Sequence, residues 1–288
     1  MMNTNRKSPV AWLIGDAGHL DFRASVELLN ATATVLQFKD AQEAWREPIG
    51  LDRHPDVFVF AASRPGMMRA RDLEQLRCRL PLVGVVALLG SWCEGEARTG
   101  RPVPGLSRCY WYDFPNWWHW QLELMASGHC PDWALPATAD DHDRSKRRPR
   151  QIGEPTAGLI VLQATCWETG DVLADALRTS GYATVWQPRG GRGARIRGAA
   201  AGIWEGRQLD EPELCQLAEF CEQLAKDAAP VVALADFPRR DRYEVAIQAG
   251  AAAMLGKPWL NADLLHTLER LIQRKVELLT VPLVKRAA

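Results

Sequence analysis

The sequence predicts an α/β protein built from two doubly wound parallel sheets in tandem. Three observations predict it. Short apolar runs alternate with amphipathic stretches along most of the chain. The alternation is run through twice, each time over about 120–130 residues, as a tandem repeat of one fold requires. A proline-rich, charged stretch at 131–157 divides the two runs and has no apolar periodicity of its own.

In the first run, 1–130, Val10–Ile14 reads as a strand and Phe22–Asn30 as a helix. Ala33–Phe38 is the next strand, followed by a short helix at Ala41–Arg46. Asp56–Ala62 (DVFVFAA) is a strong buried strand. Leu73–Leu80 is a helix, Leu82–Leu89 an apolar strand, Arg108–Tyr112 the last strand and Trp117–Ala126 a closing helix.

In the second run, 158–288, Leu159–Gln163 (LIVLQ) is a short buried strand. Glu168–Ser180 carries Val172, Leu173, Ala176 and Leu177 at helical spacing, and Gly181 suits the end of that helix. Strands at Tyr182–Gln187, Ala199–Trp204, Pro230–Ala235 and Ala251–Leu255 follow. Helices are expected at Pro212–Ala225, Arg240–Ala249 and Ala262–Leu279. Strands alternating with helices imply a parallel sheet covered on both faces. Right-handed crossovers then put a ligand crevice at the carboxyl ends of the strands.

Composition narrows the function classes. Lys+Arg 35 balances Asp+Glu 35, which argues against nucleic acid as a partner. No apolar run approaches the roughly 18 residues needed to span a bilayer, so no membrane is expected. The polar stretch Met1–Pro9 is unlike a secretory signal. Seven cysteines without a CxxC pair suit reduced thiols in the cytoplasm better than a disulfide framework. The linker pairs an acidic cluster (Asp140, Asp141, Asp143) with a basic one (Arg144, Lys146, Arg147, Arg148, Arg150), and is expected to be flexible and solvated. Only 7 of the 35 basic residues are Lys, so a conspicuously placed Lys draws notice.

Such a Lys occurs at 230–258, PVVALADFPRRDRYEVAIQAGAAAMLGKP. This segment resembles the second half of a response-regulator receiver domain, the phospho-acceptor module of two-component signalling. Ala249, Gly250, Ala251, Gly256, Lys257 and Pro258 match the family pattern, Leu264, Leu265 and Leu268 continue its last helix, and the resemblance extends more faintly over 158–275. The resemblance implies a flavodoxin-like, receiver-like sheet. It also implies an acidic pair after the first strand to hold Mg²⁺, an acceptor Asp after the third, a Thr or Ser after the fourth, and the Lys of Lys-Pro.

This chain keeps only the Lys. Gln163, Ala164 and Thr165 stand where the acidic pair belongs, and Ala235 replaces the hydroxyl residue. Glu205 lies 30 residues before Ala235, and Ala235 lies 22 before Lys257, so Glu205 falls near the acceptor position, although Trp204 or Ile203 fits with a small shift. The expectation is a pseudo-receiver with no catalytic residue, metal or cofactor, whose crevice around Lys257 is too poor in carboxylates to hold a divalent ion. Lys257 then either pairs with Glu205 across the strand ends or is simply solvated, with Pro258 shaping the turn.

Other segments offer weaker candidates. The second family helix is missing, and Pro188–Gly198 (PRGGRGARIRG) stands in its place with Arg189, Arg192, Arg195 and Arg197. These arginines are a possible anion contact or a solvated mobile loop. In the first run Asp16 is either a remnant of an acidic pair or a cap on the next turn, no acceptor Asp follows Ala61, Ala62 and Ser63, and no Lys-Pro follows Tyr112. The 89–105 insertion holds Cys93, Glu94 and Glu96 without a partner base and reads as a cap or contact loop. His119, His129, Cys109 and Cys130 match no zinc spacing.

Tyr110–Trp120 (YWYDFPNWWHW) crowds eight rings, counting His119, into eleven residues. Helical spacing puts Trp117 and Trp120 on one side and turns Trp118 away. Trp111, Trp117, Trp118 and Trp120, with Trp259 in the second run, are therefore expected as an interface with an unidentified protein partner or in a homodimer, unless the rings cover the inter-domain junction of their own chain.

The leading expectation is a non-catalytic regulatory protein acting by protein contact. A nucleic-acid-binding regulator using the Arg-rich loop and linker, or an unrecognised enzyme on a flavodoxin-like fold, are the alternatives. Fold alone does not separate these classes.

Overall fold

The structure is a computed structural model. It describes residues 8–50, 53–96, 100–101, 103–136, 158–189 and 196–280, with side chains through 275. The chain falls into two compact units, 1–147 and 148–288.

Unit 1 holds strands β1 (Val10–Gly15), β2 (Thr34–Phe38), β3 (Val57–Ala62), β4 (Gly84–Leu89) and β5 (Ser107–Tyr110). Its helices are α1 (Arg23–Thr32), α2 (Ala41–Arg46), α3 (Ala70–Arg79) and α4 (Phe114–Ala126). All pairings are parallel, and the strand order is β2-β1-β3-β4-β5.

Unit 2 repeats this plan with β6 (Leu159–Ala164), β7 (Ala183–Pro188), β8 (Ala199–Glu205), β9 (Val231–Asp236) and β10 (Ala253–Lys257). Its helices are α5 (Trp167–Arg178), α6 (Glu211–Ala225), α7 (Arg240–Gln248) and α8 (Asn261–Thr280). The order β7-β6-β8-β9-β10, again all parallel, is the order of unit 1 displaced along the chain. Both units therefore have the doubly wound, flavodoxin-like order, in which the direction of strand addition reverses beside the first strand.

The reason is the same in each unit. The central strands are apolar on both faces, as a sheet covered by helices on two sides demands. In unit 2, Ile160, Leu162, Ile203 and Leu234 pack with α5 and α8. Val161, Trp204, Ala233 and Ala235 pack on the opposite face with α6 and α7. In unit 1, Trp12 is fully buried against Phe38 and Phe58, at ring-centre distances of 5.0 and 5.6 Å.

Helix starts are set locally. The Asp40 and Asp210 side chains accept from the amides of Glu43 and Glu213, at 2.8 and 3.0 Å. Those glutamates reach back to the amides of Lys39 and Leu209, at 2.7 and 2.8 Å, closing reciprocal capping pairs.

Two expectations need correcting. Residues 131–136, read as the start of the linker, belong to unit 1. A 3-10 turn at Asp132–Ala134 buries Trp133, whose carbonyl oxygen lies 1.8 Å from where a Cβ on Gly84 would be, so only glycine fits there. The rest of the expected linker, 137–157, lies outside the described residues. The rings of 110–120 do not form an outer face either. Helix α4 begins at Phe114, which puts Phe114, Trp117, Trp118 and Gln121 on one buried stripe. Trp118 is 0 % exposed, stacks on Trp133 at 5.1 Å and donates its indole N–H to Thr32 Oγ1 at 2.9 Å. Trp111 and Trp117 are buried too, while Trp120 is half-buried. Trp259 packs half-buried against the unit 2 core.

Candidate functional site

The carboxyl ends of β6, β8, β9 and β10 bring four polar side chains of unit 2 together. Glu205 is the last residue of β8 and is 3 % exposed. One carboxylate oxygen accepts from Lys257 Nζ, from the end of β10, at 2.5 Å. The other accepts from the Thr165 amide, just past β6, at 2.9 Å, and also from the Thr165 hydroxyl. The Lys257 ammonium makes a second ion pair with Asp236 Oδ1, at the end of β9, at 2.9 Å. Lys257 and Asp236 are register partners, so adjacent parallel strands deliver both groups to the same level.

The electrostatics follow from burial. Desolvation is the largest influence on the Glu205 carboxyl and opposes its ionisation, but the hydrogen bonds from Lys257 and Thr165 outweigh it and hold the group below the ordinary carboxylate value.

Asp236 corrects the sequence expectation that the crevice is poor in carboxylates: two of them, not one, flank Lys257. Ala235, the position matched to the family's hydroxyl residue, is 1 % exposed and packs in the core, so its neighbour supplies the polar group at the strand end. Two carboxylates beside this ammonium are the arrangement that counts against a crevice too poor in acid groups to serve as a phosphate switch. Ala164 ends β6 and Thr165 follows it, and both carboxylates pair with the Lys257 ammonium. Among the described residues no group of three or more His, Cys, Asp or Glu side chains is placed to hold a metal.

Gln163 lies one strand-step away, 8 % exposed, with its Oε1 unpartnered. Its neighbour in the sheet is Trp204. The Arg189 guanidinium lies 4.4 Å over the Trp204 ring and pairs with Glu213 at 3.0 Å. Arg189 is thus a half-buried residue whose charge is paired within the unit. Arg197 is exposed, and Arg192 and Arg195 lie outside the described residues.

Unit 1 places different chemistry at its strand ends. The Ser63 hydroxyl donates to Asp16 Oδ2 at 2.6 Å, so Asp16 bridges to β3 through its side chain. The Ser91 amide donates to Asp21 Oδ2 at 2.8 Å. In the insertion after β4, burial pushes the Cys93 thiol up to about 11, aided by the charge of Glu96. A thiol so hard to ionise is a poor nucleophile. Glu94 accepts from the Tyr112 hydroxyl at 2.6 Å, and Glu96 pairs with Arg108 at 2.7 Å.

No family model and no curated protein matches the sequence. Similar solved structures are receiver domains. One is a response-regulator receiver domain protein from Clostridium thermocellum, with 19 % identity and a TM-score of 0.36, covering 42 % of this chain and 98 % of that one. Another is the signal receiver domain of a histidine kinase from Syntrophus aciditrophicus, with 17 % identity and a TM-score of 0.35, covering 46 % and 99 %. A third is the receiver domain of a Francisella response regulator, with 12 % identity and a TM-score of 0.32, covering 41 % and 98 %. The likeness is one of chain path over less than half of this protein. No helix among the described residues is long and apolar enough to cross a membrane.

Proposed function

We propose that unit 2 is a receiver-like module that has exchanged phosphoryl transfer for a fixed ion clasp, and that the protein acts in the cytoplasm by binding another protein in two-component-type signalling. The observation that supports this reading is Lys257 held at 2.5 Å by Glu205 and at 2.9 Å by Asp236. In a phosphorylated receiver, that lysine is the group expected to meet the incoming phosphoryl oxygens. Here it is engaged, and the carboxylate at the end of the third strand is occupied on both oxygens. The module is read as permanently in one state rather than switched by phosphate.

The test is intact-mass spectrometry after incubation with acetyl phosphate and Mg²⁺. No gain of a phosphoryl group is expected. A stoichiometric gain that disappears in Glu205→Gln overturns the proposal and makes the unit a working phosphate switch.

A further inference from the structure

Beside the clasp, the strand ends of unit 2 carry a second polar group whose hydrogen-bonding capacity is only partly used. Arg189 follows the last residue of β7, Gln163 lies near the end of β6 and Trp204 near the end of β8. Gln163 is the register partner of both Gln187 and Trp204, so these three stand in one row across the sheet. β7 and β8 lie on either side of β6, the first strand of the unit. The direction of strand addition reverses there, which is where open α/β sheets form ligand crevices.

The unused groups are particular atoms. Arg189 Nη1 donates to Glu213 at 3.0 Å, while Nε and Nη2, on the other edge of the guanidinium, are buried without a partner. The indole N–H of Trp204, a fully buried residue, is also unpartnered. So is Gln163 Oε1, on a residue 8 % exposed. Gly206 packs against the same group: a Cβ there would lie 2.2 Å from the Trp204 ring and 3.0 Å from Arg189 Nη2. Buried donors left unanswered are costly and few in native proteins, so three at one set of strand ends call for an acceptor.

We infer that these residues form a binding site for a small oxyanion, carboxylate or phosphate, received by the Nε–Nη2 edge of Arg189. The two N–H groups of that edge are parallel and match two oxygens of such a group. Glu213 holds the opposite edge and is itself held by the amides of Arg207 and Leu209, at 3.0 and 2.8 Å. The guanidinium is therefore presented in a fixed orientation, 4.4 Å over the Trp204 ring. Because Glu213 matches its charge, the contact selects by bidentate geometry more than by charge alone. The Trp204 N–H is a third donor, and Gln163 Oε1 suits a hydroxyl on the same molecule. The sequence adds a bias of sign: 188–198 holds Arg189, Arg192, Arg195 and Arg197 and no acidic residue. The site shares no side chain with the clasp.

Isothermal titration calorimetry of the full-length chain with sodium phosphate, and separately with sodium acetate, tests it, alongside nitrogen NMR of the Arg Nε–H and indole N–H signals. At least one anion is expected to bind with a millimolar or tighter Kd and to shift the Arg189 and Trp204 signals. Binding of phosphate alone makes the ligand a phosphate ester; binding of acetate alone makes it a carboxylate. Arg189→Lys keeps the charge facing Glu213 but has no fork, and is expected to weaken binding at least tenfold with unchanged circular dichroism. Trp204→Phe keeps the ring, removes the N–H and is expected to weaken binding by a smaller factor. Arg197→Ala, an exposed position of the same stretch, is expected to bind like wild type. No binding of either anion, with water alone answering the buried donors, overturns the inference. So does binding that moves neither signal, survives Arg189→Lys or falls as far in Arg197→Ala.

Discussion

Units 1 and 2 share one strand order, yet the polar groups at their strand ends behave in opposite ways. In unit 1, Asp16 is tied to Ser63 and Asp21 to a backbone amide, each acidic group in a separate local bond. In unit 2, Glu205, Asp236 and Lys257 converge from three strands into one ionic cluster. The aromatic load is distributed the other way. Phe114, Trp117, Trp118 and Trp133 form a stacked block in unit 1, whereas unit 2 leaves Trp167 and Trp186 exposed. The comparison teaches that apolar faces and crossover geometry determine the sheet, while a few residues at the strand ends are free to change what it does.

The largest effect expected is from Trp118→Ala. Removing a fully buried indole costs about 3–5 kcal/mol. Urea unfolding followed segment by segment with hydrogen-exchange mass spectrometry is expected to show the loss in unit 1. An equal loss in unit 2 breaks the comparison.

Next is Lys257→Ala, which leaves the buried Glu205 without its cation. Breaking a buried pair in this way costs about 3 kcal/mol at the lower end of the usual range, appropriate because the Lys257 side chain retains 16 % exposure. The same experiment should place this loss in unit 2.

Acid separates the units by sign. The folded-state value of Glu205 is lowered, so its contribution is present at neutral pH, above the unfolded value, and is lost as pH falls through the ordinary glutamate range to that lowered value. Burial raises Glu94 in unit 1, only partly countered by its bond from Tyr112, so its contribution is complete in acid and is lost as pH rises through the raised value. Unfolding series at several pH values are expected to show opposite slopes for the segments around Glu205 and Glu94. Slopes of one sign break the contrast. The smallest effect is Asp236→Asn: Asp236 is more than a third exposed, and such pairs contribute about 0–1 kcal/mol. A shift in unit 2 larger than that would make Asp236 an equal member of the clasp.

All ten strands were legible in the sequence, the inner ones as apolar runs that a sheet covered on both faces requires, and the outer β2, β5 and β7 from their place in the strand–helix alternation. Glu205 and Lys257 were legible from their spacing within a recognisable pattern. Asp236 was not: it sits one residue beyond the matched position, and only strand register reveals that it stands level with Lys257. Helical spacing sets the angles between Trp117, Trp118 and Trp120 but not which side is buried; Phe114, one turn before Trp118, shows that the inward stripe includes Trp118. Composition averages hide Trp133, one large apolar residue among prolines and charges, which is why 131–136 reads as linker. The exposed Trp186 left no signal either, since it reads like any other strand residue.

Lys257 ends an outer strand and is bonded to the two strands inside it, directly to Asp236 on β9 and past it to Glu205 on β8. β10 is thus riveted at one end. Any peeling of this margin must start at Ala253 and run toward the rivet, so the last amide to open should be the one nearest Lys257.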